Sequence, residues 1–253
     1  MPCELTNMGK TFKLLIEYDG TEFHGWQRQR QDRTVQAEIE AALSTMTRQK
    51  IVVHGSGRTD AGVHALGQVA SFACETRLCA RDFLSGLNGL LPEDIAVLDC
   101  EKAAEDFHAR YRAKSKIYRY CILNRPLPSA IGRRFCWHVR KPLDIDAMAR
   151  GAGQLLGTHD FSAFEASGSP RSHSRRTVIA AGWAKETPDR LHFDIEADGF
   201  LRCMVRNIIG TLVEVGSGKR PAEDIESILA SRNRTLAGPT APAHGLFLVE
   251  VRY

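Results

Sequence analysis

No cysteine pair in this chain has C-x-x-C spacing, although seven cysteines occur, at Cys3, Cys74, Cys79, Cys100, Cys121, Cys136 and Cys203. An odd, scattered set provides neither a disulfide framework nor a zinc site, and reads as reduced thiols packed as small apolar groups. No apolar run approaches the roughly 20 residues that a membrane helix needs. The opening Met1-Pro2-Cys3-Glu4-Leu5-Thr6-Asn7 lacks the apolar core of a secretory signal, so a cytoplasmic protein without membrane contact is expected. A strong charge of one sign is missing too: +4 at pH 7 is too mild, taken alone, to require a polyanionic partner. What remains is an ordinary globular composition over 253 residues, enough for one large domain or two smaller ones.

The placement of the charge says more than its sum. Arg110, Arg112, Lys114, Lys116 and Arg119 are interleaved with Tyr111, Tyr118 and Tyr120. Arg133, Arg134, Arg140 and Lys141 flank Trp137, and Arg171, Arg175 and Arg176 lie in a Ser/Gly/Pro-rich stretch. Cations mixed with aromatics suit a phosphate backbone whose bases can stack; the plain alternative is a solvated surface.

Apolar periodicity divides the chain into two similar runs. Alternation over 11–18 predicts a strand, and Val35, Ile39, Leu43 and Met46 a helix with Thr34 as N-cap. Ile51–Val53 and Gln68–Phe72 read as strands, Phe83–Leu91 as a helix closed by Pro92, and Ile95–Leu98 as a strand. The order is β-α-β-β-α-β. The second half repeats it: strand 117–123, helix 145–156, strands 178–183 and 191–195, an amphipathic segment 200–214, and strand 246–251. An additional helix is expected to begin at Pro221, a favourable first helical position. The expected class is α+β, with antiparallel sheets in two similar halves, 9–107 and 108–253, helices on one face, and an active-site cleft between the halves.

The most unusual stretch is Gly55-Ser56-Gly57-Arg58-Thr59-Asp60-Ala61-Gly62-Val63-His64-Ala65. Glycines here permit φ > 0 or close approach, and they frame an arginine and an aspartate between two strands. It lacks the G-K-[ST] ending of a nucleotide P-loop, and no G-x-G-x-x-G opens a helix. An aspartate in such a loop caps a turn, or acts as base or nucleophile. A nucleophilic carboxylate calls for a cationic partner, and the candidates are Arg58 and Arg206.

Gly57 to Ala65, followed by Gly67-Gln68-Val69, resembles the signature of the tRNA pseudouridine synthase A family. Tyr18-Asp19-Gly20-Thr21, Gly25-Trp26-Gln27, Asp106 to Arg110, Lys116 to Tyr120, Gly157 to Phe164, Phe200 to Asn207 and Ala243 to Leu246 agree, in the expected order over nearly the whole chain. The resemblance implies Asp60 as catalytic aspartate, Tyr118 stacking on the target base, Arg206 pairing with Asp60, and Arg58 displacing or holding the flipped nucleotide. It further implies uridines 38–40 of the tRNA anticodon stem-loop as targets, and a homodimer. Cys203 departs from the family, which often has histidine there.

The implied reaction breaks the bond from ribose C1′ to uracil N1 and rejoins the base through C5, with no redox change and no group transferred. Neither cofactor nor metal is expected. His64, His108 and His159 are not spaced as ligands on one helix, and His64 reads as shaping the loop through hydrogen bonds. The competing readings are a synthase with another RNA target, a nucleoside hydrolase, and a non-catalytic RNA-binding module. A hydrolase would normally need a second carboxylate, and a binding module leaves the Gly-Arg-Thr-Asp loop unexplained.

Overall fold

A computed structural model describes residues 9–166, 168 and 173–253. Cys3, the opening Met1 to Asn7, and Arg171 of the third basic group lie outside the described residues. Internal contacts divide the chain into two compact units: one runs to Ala113 and includes Tyr253, and the other is Lys114–Arg252.

The first unit follows the expected order: β1 (Lys10–Tyr18), α1 (Val35–Thr47), β2 (His54–Gly55), β3 (His64–Cys74), α2 (Ala80–Leu90) and β4 (Ile95–Lys102). β1 pairs antiparallel with both β3 and β4, and β2 pairs with β3. Alternation along β1 buries Phe12, Leu14, Ile16 and Tyr18 on one face. Phe12, Phe72 and Phe83 meet there with ring centroids 4.7–5.3 Å apart, which fastens α2 to the sheet. Truncation at the centre of this cluster leaves a cavity the strands cannot close. Phe83→Ala is therefore expected to lower stability by about 3–5 kcal/mol, read as a reduced urea midpoint at unchanged m-value.

Two expectations for this unit are corrected. Ile51–Val53 is not a strand, and the backbone bonds of Val53 go to side chains of α1. Val53 N–H donates to the Glu40 carboxylate (3.0 Å), and Val53 C=O accepts from Gln36 Nε2 (3.0 Å). The two-residue strand comes later, at His54–Gly55. Thr34 stands at the N-cap position of α1, but its side chain makes no capping bond. The carbonyls of Gly25 and Trp26 instead accept from Val35 N–H (3.3 Å) and Gln36 N–H (3.0 Å).

The second unit contains β5 (Ser115–Asn124), β6 (Trp137–Val139), α3 (Ile145–Gly153), β7 (Gly157–Asp160), β8 (Arg175–Thr187), β9 (Arg190–Ala197), α4 (Met204–Gly216), α5 (Asp224–Ser231) and β10 (Leu246–Arg252). β5 pairs antiparallel with β9 and β10, and β8 with β7 and β9; β6 runs parallel to β5. Tyr118 stands opposite Ile195 and Leu248, and Tyr120 opposite Phe193 and Leu246, which makes one continuous buried face. The α+β class is thus observed; the first unit has the β-α-β-β-α-β order, and the second departs from it by the added strands β6 and β7 and the added helix α5.

α4 is buried almost all round, from Met204 to Gly216. It packs closely on α3, where a Cβ at Gly216 would overlap the Met148 sulfur. The helix starts four residues later than its apolar periodicity suggests, because Cys203 adopts φ 57°, in the left-handed region, where a right-handed helix cannot run. α5 likewise begins at Asp224 and not at Pro221. Pro221 lies in the turn that precedes it, and the Gln154 amide supplies the acceptor for Glu226 N–H (2.9 Å).

Candidate active site

The glycine-rich loop joins β2 to β3 and is fixed from several sides by the segment that follows β1. Trp26 N–H donates to Thr59 C=O (3.1 Å), and Tyr18 Oη lies 2.8 Å from Thr59 Oγ1. Burial pushes the Tyr18 phenol up to about 12, so the hydroxyl stays protonated at neutral pH. Gly62 N–H donates to Phe23 C=O (3.2 Å), and Val63 N–H closes a turn onto Asp60 C=O (3.1 Å). Gly62 has φ 76° at the corner of that turn. Beneath the loop, Ser56 and Gln68 are buried side chains in contact at 2.7 Å, and Gln68 Nε2 donates to Gly57 C=O (3.0 Å).

The residues on both sides of Asp60 are therefore held, while Asp60 itself is half-buried and Arg58 faces solvent. This is a preorganised carboxylate: the backbone that carries it cannot readily reorient when a substrate arrives. Two neighbours permit the close fit. At Gly25, φ is 91°, and an added Cβ would stand 2.6 Å from Thr59 O. A Cβ at Gly55 would stand 2.5 Å from the Trp26 indole. Gly55→Ala must displace the Trp26 indole, which disturbs the residue whose backbone N–H bonds Thr59 C=O. It is expected to lose about 1–3 kcal/mol of stability together with most activity, checked by thermal melting and a turnover assay.

His64 is fully buried beneath the loop, and its Nδ1 lies 3.0 Å from Gly20 N and 3.1 Å from Asp19 Oδ1. One ring nitrogen cannot accept from the amide and donate to the carboxylate at the same time. The neutral imidazole that accepts from Gly20 N–H suits this buried position, and Asp19 Oδ1 is already engaged by Thr21 Oγ1 (2.6 Å). The loop-shaping role expected for His64 thus has a definite bond. Tyr18, Gly25 and Trp26 were read from the sequence only as parts of a motif; their work is to build this cradle.

The other candidates lie in the second unit. Tyr118, on β5, is 7% exposed and meets Phe200 edge-on with centroids 4.9 Å apart. Arg206 lies in the first turn of α4, where its Nε donates to Ala241 C=O (2.8 Å) and its own carbonyl accepts from Ala241 N–H (3.1 Å). The adjacent Asn207 is buried and donates to Phe164 C=O (2.8 Å). A Cβ at Gly210 would overlap the Pro239 carbonyl, so the strand of chain through Ala241 lies directly on the helix. A cation in the first turn opposes the helix dipole, a cost set against its bond to Ala241 C=O. Two of the interleaved cations are paired within the fold: Arg119 donates two hydrogen bonds to the Asp194 carboxylate (2.8 and 2.7 Å), and Arg112 pairs with Asp106.

The fold and the loop together define an α+β protein with a loop that is held from below and presents a carboxylate at Asp60. The sequence model of one family, described as tRNA pseudouridine synthase, matches residues 14–112 and 152–253. The chain belongs to that family of isomerases, which turn uridine into pseudouridine in tRNA. Among its relatives, the tRNA pseudouridine synthase A of Acetivibrio thermocellus is 49% identical over 96% of this chain and 100% of its own length. That of Moorella thermoacetica is 48% identical over 100% of both, and that of Myxococcus xanthus 45% identical over 95% and 91%. Among the described residues, no helix is long and apolar enough to cross a membrane.

Proposed function

We propose that this chain isomerises uridines 38–40 of the tRNA anticodon stem-loop, with Asp60 as the nucleophile. The observation that carries the reading is the cradle around Thr59–Asp60, which fixes a single carboxylate in a loop whose sequence matches the family's signature. The target base must leave its stack, at a cost of a few kcal/mol. Tyr118 offers a ring on which it stacks, returning roughly 1–3 kcal/mol. Arg58 holds the flipped nucleotide from the solvent side of the loop, and Arg206 is the cation that keeps Asp60 ionised. The N-terminal half, 9–107, carries the catalytic loop, and the C-terminal half, 108–253, contributes Tyr118 and Arg206. The proposed setting is a cytoplasmic homodimer.

Asp60 attacks in its ionised form, whether at ribose C1′ or at uracil C6. The glycosidic bond to N1 breaks, C1′ bonds to C5, the C5 hydrogen leaves as a proton and N1 gains one. Tritium release from 5-tritiated uridine in tRNA tests this balance: it rises with pseudouridine while no free uracil accumulates. Free uracil would point to a hydrolase, and tRNA binding without tritium release to a non-catalytic module. Mapping of pseudouridine in tRNA from cells lacking the protein tests the positions, which should lose the modification at 38–40.

A further inference from the structure

The first unit carries a run of rings in tilted contact to which the proposed reaction assigns no role. His54, in β2, stands opposite Ser71 of β3. The buried Ser71 hydroxyl accepts from Ala109 N–H (3.1 Å), and Tyr253 Oη donates to Ala109 C=O (2.7 Å). Both backbone polar groups of Ala109 are thereby held, and the adjacent His108 lies against His54 with centroids 4.8 Å apart and an interplanar angle of 32°. Tyr111 continues the run on His108 at 4.3 Å and 36°. Arg110 N–H donates to His108 Nδ1 (3.1 Å), and Arg112 N–H to His108 C=O (3.1 Å). Burial, then the neighbouring His54, hold His108 below the usual histidine range, so its ring is neutral at pH 7.

The run ends in the open. Tyr111 is 76% exposed, and the Arg110 guanidinium stands 5.9 Å from its ring centre, the outer limit of a cation–π contact. A singly exposed tyrosine requires no explanation. Rings in tilted contact in series, seated on a backbone held at Ala109 and with a cation at the rim, present an exposed aromatic ring with positive charge beside it. That combination matches a nucleotide: every base has a π-face, and its phosphate takes the cation.

Resting on the tRNA reading above, we propose that the His54–His108–Tyr111 run is a docking platform for a base of the bound tRNA other than the target uridine, with Arg110 on that nucleotide's phosphate. The test is equilibrium binding of a tRNA transcript to the full-length protein at fixed salt. Tyr111→Ala is expected to weaken binding about 5- to 150-fold, the span of one base–aromatic stack. Tyr111→Phe, which keeps the ring, restores most of the affinity, and Tyr111→Leu, which is apolar without a ring, does not. Arg110→Ala lowers the slope of log affinity against log salt by about 1. Thermal melting checks that each variant is folded. Wild-type affinity in Tyr111→Ala and Tyr111→Leu overturns the platform, as does a Phe variant as weak as Ala; an unchanged slope in Arg110→Ala removes the phosphate contact. Tritium release by the wild-type protein is measured alongside. If it fails, the isomerase reading falls; if it succeeds while the Tyr111 variants bind normally, only the platform falls.

Discussion

Asp60→Asn is expected to lower single-turnover isomerisation by more than about 10⁴-fold while tRNA binding largely survives. The amide keeps the size of the carboxylate but removes the nucleophilic oxygen and its charge. The cradle should persist, because its bonds use the Thr59 carbonyl and hydroxyl, Gly62 N–H and the Asp60 main chain. Asp60→Ala should behave alike, and a gel-shift titration beside the tritium assay separates binding from chemistry. A folded Asp60→Ala protein that turns over at the wild-type rate would sink the assignment.

Arg206→Ala should be the next most damaging change, with a loss on the order of 10²–10⁴ in rate and little change in stability. Removing the side chain deletes, among its contacts, the Nε bond to Ala241 C=O, of about 1 kcal/mol, and relieves an unfavourable cation at the head of α4. These effects nearly cancel for folding but not for catalysis. Arg206→Lys keeps the charge and loses the Nε bond that orients it, so it should recover only part of the rate. Measured kcat near wild type in the alanine variant would exclude Arg206 from the chemistry.

Much of this fold is legible in the sequence wherever one face of an element is apolar. Phe12, Leu14, Ile16 and Tyr18 alternate because the sheet covers one side of β1, and the α2 helix stops at Leu90 because the residue before Pro92 is forced out of helical geometry. Where periodicity was silent or misleading, bonding partners decided. β7 (Gly-Thr-His-Asp) has no apolar side chain to announce it, and β6 is too short for alternation to show. Ile51–Val53 is apolar and extended-looking, yet it is not a strand, and Glu40 and Gln36 take the backbone bonds of Val53. Phe200 fits the α4 stripe, but the left-handed turn at Cys203 separates it from the helix.

The same division holds at Asp60. Its standing as the candidate nucleophile, with Arg58, Tyr118 and Arg206 as companions, comes from the family resemblance that the motifs carry, and that resemblance is legible because each motif is local in the chain. Why Asp60 is held still does not follow from that resemblance. Thr59 and Gly62 are pinned by Tyr18, Phe23 and Trp26, which lie far from them in sequence, and the glycines at 25 and 55 matter only because a carbonyl and an indole come to rest against them. Hydrogen bonds and steric exclusion act over a few ångströms of space, whatever the separation along the chain. The sequence alone determined which chemistry to look for, and only the tertiary structure decided what holds that chemistry in place.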